Sequence, residues 1–445
     1  MNSKPIKVSM VSLGCCKNQI DGEIMLKKLL DEGYEIIADS GLADVVIVNT
    51  CGFIEAAKEE AIENILEFCT LKEEGRIKKV IITGCLAERY REEVLAEIPE
   101  ADAVIGIGKN KDIVSIVKRA LEGEKLAEFG EKEDLPLNGE RVLTNPPHYA
   151  YVKIAEGCSN RCTYCAIPSI RGPFRSRKME DIIAEVKALS DDGISEINIV
   201  AQDTTRYGED LYGKVCLDEL LKKLCEIDSV KWLRVLYAYP ERITDSLIET
   251  IKTEEKIVKY LDIPLQHASN GVLKRMNRLG TKESYTELIK RLRKEIPEIV
   301  LRTSIIAGFP GETEEEFEEL CEFIKEARFQ RLGCFAYSAE EGTPAEKMEG
   351  QLDDEVKEKR ADIVRFEAET VMEENAEKDI GKTFKVLVEG FDRYAGVYIA
   401  RSYKDAPDID PKVFFTSKVK DIEIGNFYNV KITETLGFDL IGERI

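Results

Sequence analysis

Histidine is nearly absent from this chain of 445 residues; only His148 and His267 occur. A zinc site assembled from paired Cys and His units is therefore hard to compose. No run of about 18 apolar residues exists, so no segment is suited to span a bilayer. The start of the chain, MNSKPIKVSMVSLG, lacks the long apolar core of a secretory signal. A soluble, cytoplasmic protein is the expectation. No G-x4-G-K-S/T run occurs, so the segment GFPGET is not a phosphate loop. Positive charge is in deficit, with 64 Lys and Arg against 85 Asp and Glu and a formal net charge of −21. That balance opposes tight non-specific binding of nucleic acid, whose affinity rests on neutralising phosphates. It suits a basic partner, or simply solubility. A local basic patch is not excluded by it.

Cysteine is what the chain has in quantity: twelve residues. In a reducing compartment these are metal ligands or core residues rather than disulfides. Three of them, Cys158, Cys162 and Cys165, form a C-x3-C-x2-C triplet in EGCSNRCTYCAIP, after the apolar run YAYVKIA. Three thiolates this close can hold an iron–sulfur cube by three irons. Such cubes usually take four cysteines, so a set of three leaves one iron open for chemistry. The alternatives are zinc or a disulfide, and no second cysteine pair stands nearby to complete a zinc site.

The length allows about three domains. Over the first 129 residues, strand-like runs at 7–13, 44–49, 79–83 and 103–107 alternate with helical periodicity at 21–32, 55–68 and 112–121. This is a doubly wound parallel α/β unit, whose sites form beyond the carboxyl ends of the strands. Residues 130–147 are charged, Pro/Gly-rich and aperiodic, and read as a linker. From 148 to 378, six strand candidates (149–155, 196–201, 232–238, 260–264, 300–307 and 331–338) alternate with helices. That pattern predicts a partial (β/α)6 barrel, open on one side, followed by a charged helix at 353–378 leading outward. Residues 379–445 hold five short strands punctuated by Gly390, Gly425 and Gly437, which predicts a small antiparallel β-barrel.

Cys15, Cys51 and Cys85 each follow a predicted strand of the first domain. Strands of one parallel sheet end at one edge, so the three can converge despite their separation. Gly14 and Gly84 allow sharp turns there. Such a trio could hold a second three-ligand cluster; the other reading is three buried core cysteines. Cys16, Cys69, Cys216, Cys225, Cys321 and Cys334 show no such pattern and are assigned to packing.

The triplet opening a six-strand βα array resembles the radical S-adenosylmethionine (SAM) enzymes. The N-terminal trio and C-terminal barrel narrow the resemblance to the methylthiotransferases. SLGCCKNQIDGE, NTCGFIEAAKEEAIENI, KIAEGCSNRCTYCAIPSIRGPFRSR, AQDTTRYGEDLYG, LYAYPERI, LDIPLQHAS and GFPGETEEEF are similar to the branch that modifies a ribosomal protein. A tRNA-modifying branch shares the framework. One departure is Cys16, where relatives commonly have proline.

The resemblance implies two [4Fe-4S] clusters. Cys158, Cys162 and Cys165 would hold the one that binds and cleaves SAM to a 5′-deoxyadenosyl radical. Cys15, Cys51 and Cys85 would hold an auxiliary cluster carrying the sulfur to be inserted. Two SAM molecules would be used, one to methylate that sulfur and one to supply the radical. The target would be the β-carbon of an aspartate in small-subunit ribosomal protein S-twelve, docked by the C-terminal (TRAM) domain. A reductant protein would supply the electron, and nothing demands more than a monomer. The cofactor carries the hard chemistry, so no side chain is nominated as general base.

Gln202, Gln266, Arg302 and Gly308, at or near strand ends of the central array, are candidates for SAM contact, with a structural role as the alternative for each. Asp203 and His267 lie nearby. The glutamates of 312–322 read as a solvated helix face and a partner of the helix dipole. Residues 381–445 carry ten Lys/Arg and ten Asp/Glu, including an acidic tip at Asp405, Asp408 and Asp410. A barrel gripping tRNA would show clustered basic charge, so tRNA is disfavoured and a basic protein favoured. A non-catalytic iron–sulfur scaffold or electron carrier is the third reading; a carrier needs closed cages rather than open ones.

Overall fold

A computed structural model describes residues 4–419 and 421–445. Six parallel strands form the first sheet: β1 (Lys7–Ser12), β2 (Glu35–Ile36), β3 (Val45–Thr50), β4 (Lys79–Gly84), β5 (Ala103–Ile105) and β6 (Leu126–Glu128). Their order is β2-β1-β3-β4-β5-β6. β3 is buried at every residue, as its unbroken apolar run requires of a strand covered on both faces. The helix Glu55–Glu73 covers one face, and Cys16–Asp31 and Ile113–Leu121 the other. The edge strands β2 and β6 are two and three residues long, too short to carry a periodic signal.

The 130–147 segment holds only a short 3-10 turn at Lys132–Asp134. It is anchored nonetheless: Arg141 donates to Glu23 (2.9 Å) and to the carbonyl of Tyr151 (2.6 Å).

The central array starts with β7 (Tyr149–Lys153). A small antiparallel pair, β8 (Ala155–Glu156) and β9 (Arg175–Ser176), brackets the cysteine triplet. Then follow β10 (Glu196–Val200), β11 (Trp232–Val235), β12 (Ile257–Asp262), β13 (Val300–Ala307) and β14 (Arg331–Ala336). The strands lie in the order β14-β13-β12-β11-β10-β7, with no pairing between β7 and β14, so the barrel is open. On one flank the helix Cys16–Asp31 of the first domain packs on β7, placing Ile20 and Ile24 beside Tyr149 and Tyr151. On the other, the helix Asp354–Glu377 lies against β13 and β14 rather than pointing away, burying Ala361 and Val364. The expectation that this helix leads outward is corrected by that packing.

The last 66 residues form a closed barrel in the order β15-β16-β17-β19-β18: β15 (Thr383–Asp392), β16 (Val397–Ser402), β17 (Val413–Thr416), β18 (Phe427–Leu436) and β19 (Asp439–Arg444). It is not wholly antiparallel. β17 and β19 pair in parallel, the step that closes the sheet and removes its edges.

The acidic tip of this domain is not a free surface. Asp405 pairs with Arg331 of β14, and Asp410 accepts from Tyr260 of β12 at 2.6 Å. Asp408 accepts from Tyr149 and Tyr151 of β7, each at 3.0 Å. Ala406 joins the cluster that fills the barrel interior. Beside this plug, Arg401 donates to Glu196 at 2.6 Å, and Arg234 reaches the other Glu196 oxygen at 2.8 Å; all three side chains are fully buried.

Burial pushes the Glu196 carboxyl up, but Arg401 and then Arg234 more than reverse this, leaving it below its ordinary value. Its stabilising contribution is therefore complete above the unfolded value of about 4.3 and is lost as pH falls further. Glu196→Ala would leave the buried Arg234 without a carboxylate and Arg401 with Glu389 alone. A loss of about 3–5 kcal/mol is expected in urea unfolding at pH 7, with proteolysis at the 378–383 junction. A loss below about 1 kcal/mol would show that the plug does not depend on this carboxylate.

Candidate functional site

β1, β3 and β4 are neighbours in the sheet, and Cys15, Cys51 and Cys85 stand immediately beyond their carboxyl ends. Gly14 has φ +85°, and a Cβ there would lie 2.6 Å from Cβ and 2.7 Å from Sγ of Cys51. A Cβ on Gly52 would sit 2.7 Å from the Leu86 backbone and 2.9 Å from the carbonyl carbon of Cys85. The three turns therefore touch, and only glycine permits it. Asn18 ties them further, donating to the carbonyls of Leu13, Asn49 and Thr50 at 3.1–3.2 Å.

The thiols sense one another. Burial, with smaller contributions from the Cys15 and Cys51 thiolates, pushes Cys85 up to about 12, against the pull of Arg171. Burial raises Cys51. At Cys15 the upward push of burial is outweighed by Lys17 and Arg171, so it falls below its ordinary value. A cavity of about 340 Å³ opens beside Cys15, with Ser12, Gln19, Thr144 and Asn145 in its wall.

The triplet loop is pinned from several sides. Gly157 has φ +75°, and a Cβ there would meet the Pro173 carbonyl at 2.1 Å. Cys158 N donates to Gly172 O at 3.1 Å, and Thr163 bonds the carbonyls of Met276 and Arg275 at 3.1 and 2.8 Å. All three thiols are partly buried. Burial pushes Cys158 up to about 11 and raises Cys165 too. Arg278 lies 4.0 Å from Cys162 Sγ and stacks 4.0 Å from the centre of the Tyr239 ring.

The four candidate SAM residues divide. Gln202 follows β10; its amide donates to Glu156 at 2.8 Å, while its buried carbonyl oxygen has no partner among the described residues. Gln266, after β12, holds φ +74°, an uncommon conformation for a non-glycine residue that the surroundings must enforce. Arg302 is engaged elsewhere, donating to Asp262 at 2.9 Å and lying 3.9 Å from Asp410 of the plug. Gly308 (φ +76°) is required by the helix Asp354–Glu377, because a Cβ there would lie 2.7–2.9 Å from Lys357. Asp203 accepts from Asn160 and Arg242, both at 2.9 Å. His267 meets Glu312 at 3.2 Å. Glu312 is no solvated helix residue: it is buried, accepts from the Gly308 and Phe309 backbone and pairs with Arg360 at 2.7 Å.

Sequence reasoning passed over the charges between the two cysteine sets. Asp21, Lys153, Glu156 and Arg171 are all at most 1 % exposed and interlock at 2.5–3.1 Å. Burial would raise the Glu156 carboxyl, but Arg171 and Lys153 hold it well below the carboxylate range. The available signal was Lys153 and Glu156 inside an otherwise apolar run, where charges survive only when paired. Cys85 packs on Ala166 and Ile170, so the stretch following the triplet abuts the N-terminal trio. Cys69, Cys216 and Cys334 are core residues, as expected; Cys16, Cys225 and Cys321 are half-buried beside the core.

What these donors can hold follows from their chemistry. A single zinc draws thiolates to about 2.3 Å from one point. Among the described residues no three His, Cys, Asp or Glu side chains stand close enough to chelate one ion. A cube takes cysteine thiolates on separate irons, and the donor set here is of that kind, two groups made of cysteine alone. The unpartnered Gln202 oxygen suits a ligand with an ammonium or amide donor, such as the amino group of SAM.

Three family models match the chain in order: residues 7–106 that described as "Uncharacterized protein family UPF0004", 152–324 the radical SAM superfamily and 380–445 the TRAM domain. The chain is 50% identical to the "Ribosomal protein uS12 methylthiotransferase RimO" of Thermoanaerobacter sp. (strain X514), covering 98% of this chain and 99% of the relative. The protein of the same name from Clostridioides difficile is 48% identical, with 98% of each covered. Among solved structures, the radical SAM methyltransferase TsrM from Kitasatospora setae superposes with a TM-score of 0.55 at 13% identity, over 88% of this chain and 79% of that one. The cobalamin-dependent radical SAM enzyme OxsB gives 0.52 at 14% identity, over 83% and 58%. These two likenesses concern the fold alone. With near-half identity sustained across its full span, the chain belongs to the RimO family of radical SAM methylthiotransferases.

Proposed function

We propose that this protein inserts a methylthio group at the β-carbon of an aspartate of ribosomal protein uS12. The observation that carries the reading is identity of 48–50% with RimO proteins along the entire chain. Cys158, Cys162 and Cys165 are the ligands of the SAM-binding [4Fe-4S] cluster, and Cys15, Cys51 and Cys85 those of the auxiliary one. Residues 1–129 make the auxiliary-cluster domain, 130–147 the linker, 148–378 the radical SAM domain and 379–445 the TRAM domain. When bound, the first cluster with SAM supplies a radical able to take hydrogen from an unactivated carbon, which side-chain acid–base chemistry cannot do.

The chain's own residues orient and enclose. Gln202 and Gln266, at strand carboxyl ends, would contact SAM, and Arg302 and Gly308 would shape the wall behind it. Asn18 holds the turns of Cys15 and Cys51 in register. The barrel plug and the helix Cys16–Asp31 keep water out of the interior. Choice of a protein over tRNA rests on the relatives and not on the acidic tip, whose carboxylates are consumed inside the molecule. A reductant protein supplies electrons, the enzyme acts as a monomer in the cytoplasm, and no helix is long and apolar enough to cross a membrane among the described residues.

Anaerobically reconstituted protein should carry about eight irons per chain, two cubes' worth. Incubated with reductant, SAM, sulfide and ribosomes, it should add one methylthio group to uS12 by mass spectrometry and none to tRNA nucleosides. Modified tRNA with unmodified uS12 would reverse the assignment. Cys162→Ala should lose about half the iron and all 5′-deoxyadenosine formation. Cys51→Ala should keep 5′-deoxyadenosine formation yet lose methylthiolation; a variant that still methylthiolates uS12 removes Cys51 from the centre.

A further inference from the structure

Arg171 ends the helix Ile167–Arg171, six residues beyond Cys165, yet its guanidinium points into the first domain. One nitrogen donates to Asn18 Oδ1 at 3.2 Å; the other reaches Asp21 at 2.9 Å and Glu156 at 3.1 Å. The side chain is 1 % exposed. Ala166 and Ile170, in the same stretch, pack on Cys85. Arg171 is thus a buried cation delivered by the triplet's own segment to the rim where the other three thiols gather.

We propose that Arg171 is a positioning residue for the N-terminal cluster, so that this metal site is built by two domains. The inference rests on the trio being cluster ligands. Asp21 and Glu156 are also bound by Lys153 at 2.5 Å each, so the two carboxylates are balanced by two cations within the tetrad. Three ionised thiolates would add negative charge beside it, and Arg171 is seated against their turns: it donates to Asn18, whose amide ties the turns of Cys15 and Cys51, and its own helix packs on Cys85. Reduction adds one more electron to that site. A fixed cation stabilises the reduced form, as hydrogen bonds and charge around a cluster set its potential.

The test uses full-length Cys162→Ala protein, reconstituted with iron and sulfide, in which about four irons per chain are expected. Absence of iron there overturns the trio as a cluster site, a failure separate from that of Arg171. With the cluster present, its midpoint potential is read by EPR-monitored titration. Arg171→Gln should lower it by about 59 mV, the one-electron equivalent of a ten-fold shift. Arg171→Lys should recover more than half of that change. Arg171→Gln combined with Asp21→Asn keeps the buried charges balanced, so that folding is spared, and should show a drop in the same direction. Loss of iron from both Gln variants but not from the Lys variant supports the role equally. An unshifted potential in the Gln variants, or a Lys variant no better than Gln, overturns it.

Discussion

Four charges buried at the seam between the first domain and the barrel hold the rest in place. Asp21 comes from the helix that begins next to Cys15, Lys153 and Glu156 from the strands leading into the triplet, and Arg171 from the helix leaving it. Each alone would be costly in a dry interior, and removing any one leaves the other three with an uncompensated net charge. The arrangement is therefore satisfied only when the two domains meet in one orientation. That orientation brings the carboxyl ends of β1, β3 and β4 to face the segment after Cys165, which is why Cys85 touches Ala166 and Ile170. A purely apolar seam would bind as well but would tolerate sliding. Paired charges at fixed distances do not, and chemistry between two centres requires that the separation be held.

The same logic operates at the other end of the barrel. A six-strand open array leaves its interior uncovered where a closed barrel would fill itself with side chains. Here the interior is filled from outside: Ile20 and Ile24 enter from the first domain, and Leu387 and Ala406 from the last. The carboxylates of Asp405 and Asp410 meet Arg331 and Tyr260, and Arg401 meets Glu196. Both flanking domains are thus part of the barrel's own core. The latch of Glu340, which pairs with Arg89 at 2.8 Å and caps the Glu55 backbone at 3.0 Å, adds a second tie between the first domain and the segment after β14.

The architecture was legible because buried parallel strands announce themselves as unbroken apolar runs; β3 and β4 read directly as VVIVNT and KVIITG. The trio was legible by topology, since one parallel sheet sends its carboxyl ends to one edge. What escaped was whatever depends on a distant partner. DAPDID looked like a solvent-facing tip because its partners, Arg331, Tyr260 and two tyrosines of β7, lie 74 to 259 residues away. Glu312 sat in a run of glutamates and looked solvated, yet Arg360 and the Gly308 turn enclose it. Gly308 looked like a ligand-facing gap, whereas a lysine of the following helix fills that space. β2 and β6 had no periodicity to show.

Burial sets one of these thiols apart from the others. At Cys85 and Cys158 burial disfavours the thiolate strongly. Cys15 is the exception: Lys17 and Arg171 draw it downward, and it is the thiol of its set that borders a cavity. The cations beside Cys15 come from its own helix and from across the seam, so this rim is completed by the same contact that sets the two domains in register.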